Sequence, residues 1–143
     1  MINSIHAALW DWFLQCTSIA KLFFNFSDAE DSSTVITTAG DTLIEEYIDG
    51  SQLRRYSFEL NRYCPITFVQ NDDGNIRMLE ETHAIARWAQ QQNDKGNMPI
   101  LPDNCTAESV ELLDEYAGYA TAVNENIAKY MLPFAITYYK TKG

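Results

Sequence analysis

The stretch Leu43-Ile44-Glu45-Glu46-Tyr47-Ile48-Asp49-Gly50-Ser51-Gln52-Leu53-Arg54-Arg55-Tyr56-Ser57-Phe58-Glu59-Leu60-Asn61-Arg62-Tyr63 decides the fold. Two alternating apolar and polar segments meet at Asp49-Gly50-Ser51, and a turn-forming cluster between two such segments reads as a long β-hairpin. Because side chains of a strand alternate between faces, Ile44, Glu46 and Ile48 share one face of the first segment. Tyr56, Phe58 and Leu60 share one face of the second, and each of these two faces is fit for a core. Glu45, Arg55, Glu59 and Asn61 fall on the other side, which is expected to meet water or a neighbouring molecule.

Upstream of the hairpin, Ile2, Ile5, Leu9, Trp12, Phe13 and Cys16 recur at spacings of three and four, the apolar stripe of an amphipathic helix, with Asn3 or Ser4 available to cap it. Thr17 and Ser18 end that pattern. Leu22, Phe24 and Phe26 then alternate with Phe23 and Asn25, which predicts a strand with Phe23 on its opposite face, covering sheet surface or facing a neighbouring subunit. Residues 27–33 are polar enough to be a loop. Residues 34–38 resume strand composition, and Gly40-Asp41 is expected to interrupt the chain before the hairpin.

Downstream, Cys64-Pro65 should end or bulge the second hairpin strand, because proline cannot donate to a sheet ladder. Asn71-Asp72-Asp73-Gly74-Asn75 reads as a turn that leads into a helix. That helix carries Met78, Thr82, Ile85, Trp88 and Ala89 on one side and stops at Gly96. Residues 98–106, with Pro99 and Pro102, read as an irregular connector. Two further strands are expected at residues 113–123 and 127–139. A helical reading of residues 110–122 stays open, since Ala117, Ala120 and Ala122 are poor strand formers. Pro133 inside the last strand implies an edge, a bulge or a break. Together these elements predict one α+β domain spanning residues 1–143, a mostly antiparallel sheet packed by two main helices.

A chain of 143 residues suits one domain that buries roughly two-thirds of its unfolded surface. With 46% hydrophobic and 13% aromatic residues it is too apolar for a disordered protein, and it has no run of the roughly 18 apolar residues a membrane span needs. The opening Met1-Ile2-Asn3-Ser4-Ile5-His6 lacks the basic patch of a secretory signal, so folding in a cytoplasm is expected. Cys16, Cys64 and Cys105 are odd in number and widely spread, which argues against a disulfide framework. A formal net charge of −10 disfavours binding to phosphate backbones. It suits solubility, or the lining of a pore through which DNA slides without sticking.

The chain is poor in convergent chemistry. His6 and His83 stand alone, without a second histidine at metal-binding spacing. Glu80, Glu81 and His83 occupy helix positions that do not converge as an i, i+4 pair would. Cys64 has no activating sequence beside it, and Asp72-Asp73-Gly74-Asn75 lacks the alternating ligands of a calcium loop. The six glycines are scattered singly, so no phosphate cradle is written in the chain. No catalytic residue, cofactor or metal is expected. Arg54-Arg55, flanked by Asp49 and Glu59, read either as solvated ion pairs or as a reach to a carboxylate of an adjacent subunit.

Tyr47-Ile48-Asp49-Gly50-Ser51-Gln52-Leu53-Arg54-Arg55-Tyr56-Ser57-Phe58 resembles the segment Y-x-D-G-S-x-L-R-x-Y-x-F of tail terminator (minor tail) proteins from phages and prophages of Gram-positive bacteria. Trp88, followed by Gln91-Gln92-Asn93-Asp94-Lys95-Gly96-Asn97-Met98-Pro99, is similar to the same family's W-x-x-x-Q-N-x-K-G-N-x-P. The two patches stand in the family's order. Pro133 departs from its pattern. The resemblance implies a structural, non-enzymatic subunit that forms a ring, commonly a hexamer, on the head-proximal end of a tail tube. Its partners would be further copies of itself, the tail tube protein and a head-completion or connector protein, with no specific nucleic acid and no membrane. Its place would be the virion tail, and the host bacterial cytoplasm during assembly. Candidate contacts are Asp49, Gly50, Ser51, Arg54, Arg55 and Phe23, with the loops at 27–33 and 96–106. The rival readings are an acidic DNA mimic that inhibits a host nucleic-acid enzyme, and a small acetyltransferase-like enzyme.

Overall fold

The computed structural model describes residues 4–17, 19, 21–24, 33–65, 74–102, 104–113, 120–123 and 127–142. Its first helix, α1 (Ile5–Phe13), starts at Ser4, whose extended backbone lets its Oγ accept the Ala7 N–H at 3.1 Å. Of the two candidate caps, Ser4 does the work. Ala8, Leu9, Trp12 and Phe13 form the buried stripe, with Cys16 buried just beyond the helix, while Ile2 lies outside the described residues.

The strands are β1 (Lys21–Phe24), β2 (Ser33–Glu46), β3 (Gln52–Pro65), β4 (Cys105–Leu112), β5 (Ala120–Ala122) and β6 (Ile127–Lys140), with α2 (Gly74–Lys95) between β3 and β4. They make one sheet in the order β1-β2-β3-β6-β4, with β5 also on β6. β1 runs parallel to β2, and the other pairings are antiparallel. The molecule is therefore α+β, with two helices among the described residues, but the parallel β1–β2 pair makes the sheet a mixed one.

Three details depart from the sequence reading. Gly40-Asp41 does not interrupt the chain: β2 runs through it, and the register slips once between Thr38 and Gly40 and again between Leu43 and Glu45. Each slip is a β-bulge, an extra residue absorbed by a local bend. Of the expected strand at 113–123, Ala120–Ala122 is a strand and 114–119 lie outside the described residues, while the supposed connector at 98–106 ends in a true strand at Cys105. Composition hid β4, since its alternation, Cys105 and Ala107 and then Val110 and Leu112, slips by one residue at the bulge between Ala107 and Ser109, and it is the pairing with β6 that makes it extended. Finally, Pro133 breaks nothing. A strand residue's N–H and C=O point to the same edge. The Pro133 carbonyl accepts the Leu113 N–H at 2.8 Å, so its missing N–H faces the side where β4 gives way to β5. The β3–β6 ladder stays continuous from Gln52↔Lys140 to Pro65↔Ile127.

The core lies between the helices and one face of the sheet. Leu9, Trp12 and Phe13 of α1 with Ile85 and Ala89 of α2 bury Ile36, Tyr56, Phe58, Leu60, Leu132, Phe134 and Ile136. Phe58 and Phe134, opposite one another in register, stack at 5.6 Å, and Phe13 meets both edge-on at 5.8 Å. Arg62 clamps α2 to the sheet: Nη1 donates to the Met78 carbonyl at 3.0 Å and Thr82 Oγ1 at 3.1 Å, and Nη2 to Glu81 at 2.7 Å. Gly96 takes the left-handed backbone, φ 76°, that ends α2, and the Trp12 indole N–H then ties α1 to the Asn97 carbonyl at 2.8 Å. The opposite sheet face is not uniformly wet, since Ser33, Val35 and Asn61 on it are buried.

Candidate functional site

A strand of 14 residues spans about 46 Å, whereas the 22 residues of α2 span only about 33 Å. The excess hairpin leaves the helix layer behind. From Ala39 to Asp49 every residue of the first arm is exposed, although Tyr56 on the partner strand is still buried under α1 through the 2.7 Å contact of its hydroxyl with His6 Nδ1. The expectation that Ile44 and Ile48 face a core fails for this reason. Leu43 and Ile44 are about half exposed, Tyr47 somewhat less, and Ile48 is wholly exposed.

The tip is nevertheless rigid. Gly50 N–H donates to the Tyr47 carbonyl at 2.9 Å and Tyr47 N–H to the Ser51 carbonyl at 2.8 Å, with Gly50 at φ 88°. That is a three-residue hairpin loop whose left-handed position needs glycine. Ile48 stands at its apex. Ser51, almost fully buried, donates from both its N–H (2.9 Å) and its hydroxyl (2.5 Å) to Asp49 Oδ1, and receives the Tyr139 hydroxyl at 2.7 Å. The Ser51 hydrogen bonds, side chain then backbone, hold the Asp49 carboxyl below its ordinary value. Tyr47 packs its ring 5.9 Å from Tyr139, and the Lys142 stem lies against Gly50. Tyr47, Ile48, Asp49, Ser51 and Tyr139 thus line a shallow open depression.

Below the tip, on the helix side, Arg54 Nε donates to Asp41 Oδ1 at 3.1 Å and the Tyr138 hydroxyl to Asp41 Oδ2 at 2.6 Å. Arg54 also reaches Gln52 at 2.9 Å. Its partner is Asp41 across the hairpin, neither Asp49 nor Glu59 of the sequence reading. Burial works against the Arg54 charge, but Asp41 outweighs it and the guanidinium titrates above its ordinary value. Burial first, then the Asp41 carboxylate, raises Tyr138 and pushes Tyr56 up to about 12. Both oxygens of Asp41 are thus engaged in stiffening the base of the arm.

Of the candidate contacts, Asp49, Gly50, Ser51 and Arg54 come together at the arm, and Arg55 lies exposed on its other face. Phe23 does not join them. It sits on β1 beside Val35, half-buried on the face away from the core, at the far end of the sheet. Residues 27–32 lie outside the described residues, whereas 97–100 form, with α1, a small cleft lined by Asp11, Trp12, Gln15, Asn97, Met98 and Ile100. The sequence reading missed the exposure of Leu43, Ile44, Tyr47 and Ile48, and the Asp41–Arg54–Tyr138 group. The adjacent charges Glu45-Glu46 inside an apolar strand were the available signal.

Among the described residues no group of three or more His, Cys, Asp and Glu side chains is placed to hold a metal ion, and no helix is long and apolar enough to cross a membrane. Compared with known proteins, the chain matches no family model and no curated protein.

Proposed function

We propose that this protein is a structural subunit of a phage or prophage tail, a tail terminator that closes into a ring, commonly of six copies, on the head-proximal end of the tail tube. The observation that carries the reading is the braced, apolar-tipped hairpin arm, which projects beyond the helix layer and bears the segment Tyr47 to Phe58 on which the resemblance rests. A hydrogen-bonded protrusion that exposes Leu43, Ile44, Tyr47 and Ile48 together presents apolar surface that suits contact with another protein. The second resembling patch, Trp88 to Pro99, includes the end of α2 and the loop docked on α1.

In this reading the ring forms by heterologous contacts that close by rotation. One ring surface matches the tube, the other meets the head connector, and tube growth stops because the second surface does not repeat the first. No bond is made or broken. Native mass spectrometry of the protein alone and with tail tube protein tests it. A ring on the tube end is the expected species, and particles lacking the protein should carry tails of uncontrolled length without heads. Normal-length tails on filled heads in its absence would overturn the proposal.

A further inference from the structure

The open depression at the arm tip combines aromatic walls with acidic surroundings. Its volume is about 630 Å³, and its exposed lining is mostly apolar, with Tyr47, Ile48 and Tyr139 completed by Asp49 and Ser51. The centroids of the two tyrosine rings lie 5.9 Å apart and the rings are inclined at 40°, so they do not stack flat on one another. A cation is attracted to an aromatic face when it lies within about 6 Å of the ring centroid. One positive group seated in the depression therefore reaches both rings.

The charges around it favour such a group. Both Ser51 donors end on Asp49 Oδ1, which leaves Oδ2 to accept from a donor outside the chain. Desolvation first, and then the Glu45 and Glu108 carboxylates, hold the Tyr47 phenol above its ordinary value, so three acids bear on the depression. None of the three is ion-paired among the described residues. The bases at this end of the same sheet face are Lys142, whose stem lies on Gly50, and Arg55, exposed two positions beyond the Leu53 that pairs with Tyr139. The acids outnumber them.

We propose that this depression receives an arginine side chain from a basic surface of a different protein, its guanidinium lying over Tyr47 and Tyr139 and donating to Asp49 while its stem packs on Ile48. The proposal goes beyond the ring reading and does not rest on it. Arginine fits better than lysine because its planar, weakly hydrated head stacks on a ring and donates sideways to a carboxylate at once. The donor belongs to another protein because a second copy of this chain, also at −10, is repelled as a whole. Each exposed ring or carboxylate contact is worth roughly two- to five-fold in affinity. One arginine alone therefore binds weakly, and the basic surface around it supplies the rest.

The test titrates the full chain with acetyl-Gly-Arg-Gly-amide, followed by two-dimensional NMR, beside the same peptide carrying lysine or uncharged citrulline. The arginine peptide should shift the Tyr47, Ile48 and Tyr139 signals saturably in the millimolar range. The lysine peptide should bind several-fold more weakly and the citrulline peptide more weakly still. Asp49→Asn and Glu45→Gln should each weaken arginine binding by roughly two- to five-fold while amide signals away from the tip stay in place. The site is overturned if no saturable shift appears at Tyr47 and Tyr139, if citrulline or lysine binds as tightly as arginine, or if neither variant changes the affinity. Sedimentation of the chain without peptide decides the source. Any oligomers should persist in Asp49→Asn, whereas oligomers that this variant dissolves would make a second copy the donor and overturn the assignment to a different protein. Because the titration needs no ring, its failure leaves the tail-terminator reading standing, and loss of that reading leaves the site.

Discussion

Gly50 is the residue on which the arm tip turns. Its φ of 88° and the Lys142 stem packed on it leave no room for a side chain. Gly50→Ala is expected to cost about 1 kcal/mol or more, read as a lower urea midpoint at unchanged slope. Asp49 tests the same turn by pH. Its carboxyl titrates below its ordinary value when folded, so its stabilising effect is complete above about pH 4 and is lost as pH falls through the folded value. The protection of the Ser51 amide, taken relative to its intrinsic exchange rate at each pH, should fall on acidification, and Asp49→Asn should abolish that dependence. Tyr56 acts in the alkaline range. A phenol raised to about 12 favours the folded state fully below about pH 10 and loses that effect as pH rises between the two values. Alkaline unfolding should begin in that window, and Tyr56→Phe should move its onset upward.

Among the elements, β6 tolerates its proline because Pro133 points its missing donor to the β4 side, where only its carbonyl is used, by Leu113. Pro133→Ala should therefore change stability by less than about 1 kcal/mol and leave the β3–β6 ladder unaltered, as amide exchange would show. Asn93→Ala is the opposite case. It removes the acceptor from the Val110 N–H at a part-buried edge and should cost about 1–3 kcal/mol by chemical denaturation. β4 illustrates why local pattern was insufficient, since Cys105 to Leu112 has neither a helical stripe nor a clean alternation of apolar residues. Its extended form comes from β6 on one side and the Asn93 side chain on the other. By contrast α1, α2, β3 and β6 were legible, because Leu9, Trp12 and Phe13, or Phe58 and Leu60, or Leu132, Phe134 and Ile136, recur at the period of the element they form.

For the molecule entire, charge and core act in different places. The aromatic cluster around Phe13, Phe58 and Phe134 holds both helices to the sheet, and Phe13→Ala should cost about 3–5 kcal/mol with loss of cooperative melting. In the proposed ring the net charge of −10 would act between copies. Repulsion summed over such a charge outweighs one exposed ion pair of roughly 0–1 kcal/mol, so raising salt should strengthen association measured by sedimentation velocity. If association instead weakens steadily with salt, attraction between opposite charges holds the copies together.

The order of the residues alone settles what depends on near neighbours: the hairpin turn at Asp49-Gly50, a polar cap at Asn3 or Ser4, the stop at Gly96, and the face on which each apolar stripe lies. Those follow from backbone sterics and periodicity, which act over a few positions. How far the helices reach along the sheet depends on packing between elements distant in the chain. That reach decides that Tyr56 is core while Ile44 and Ile48 stand in water, that Arg54 pairs with Asp41, and that Phe23 lies far from the arm. Burial is a property of what covers a residue, and what covers these residues comes from elsewhere in the chain.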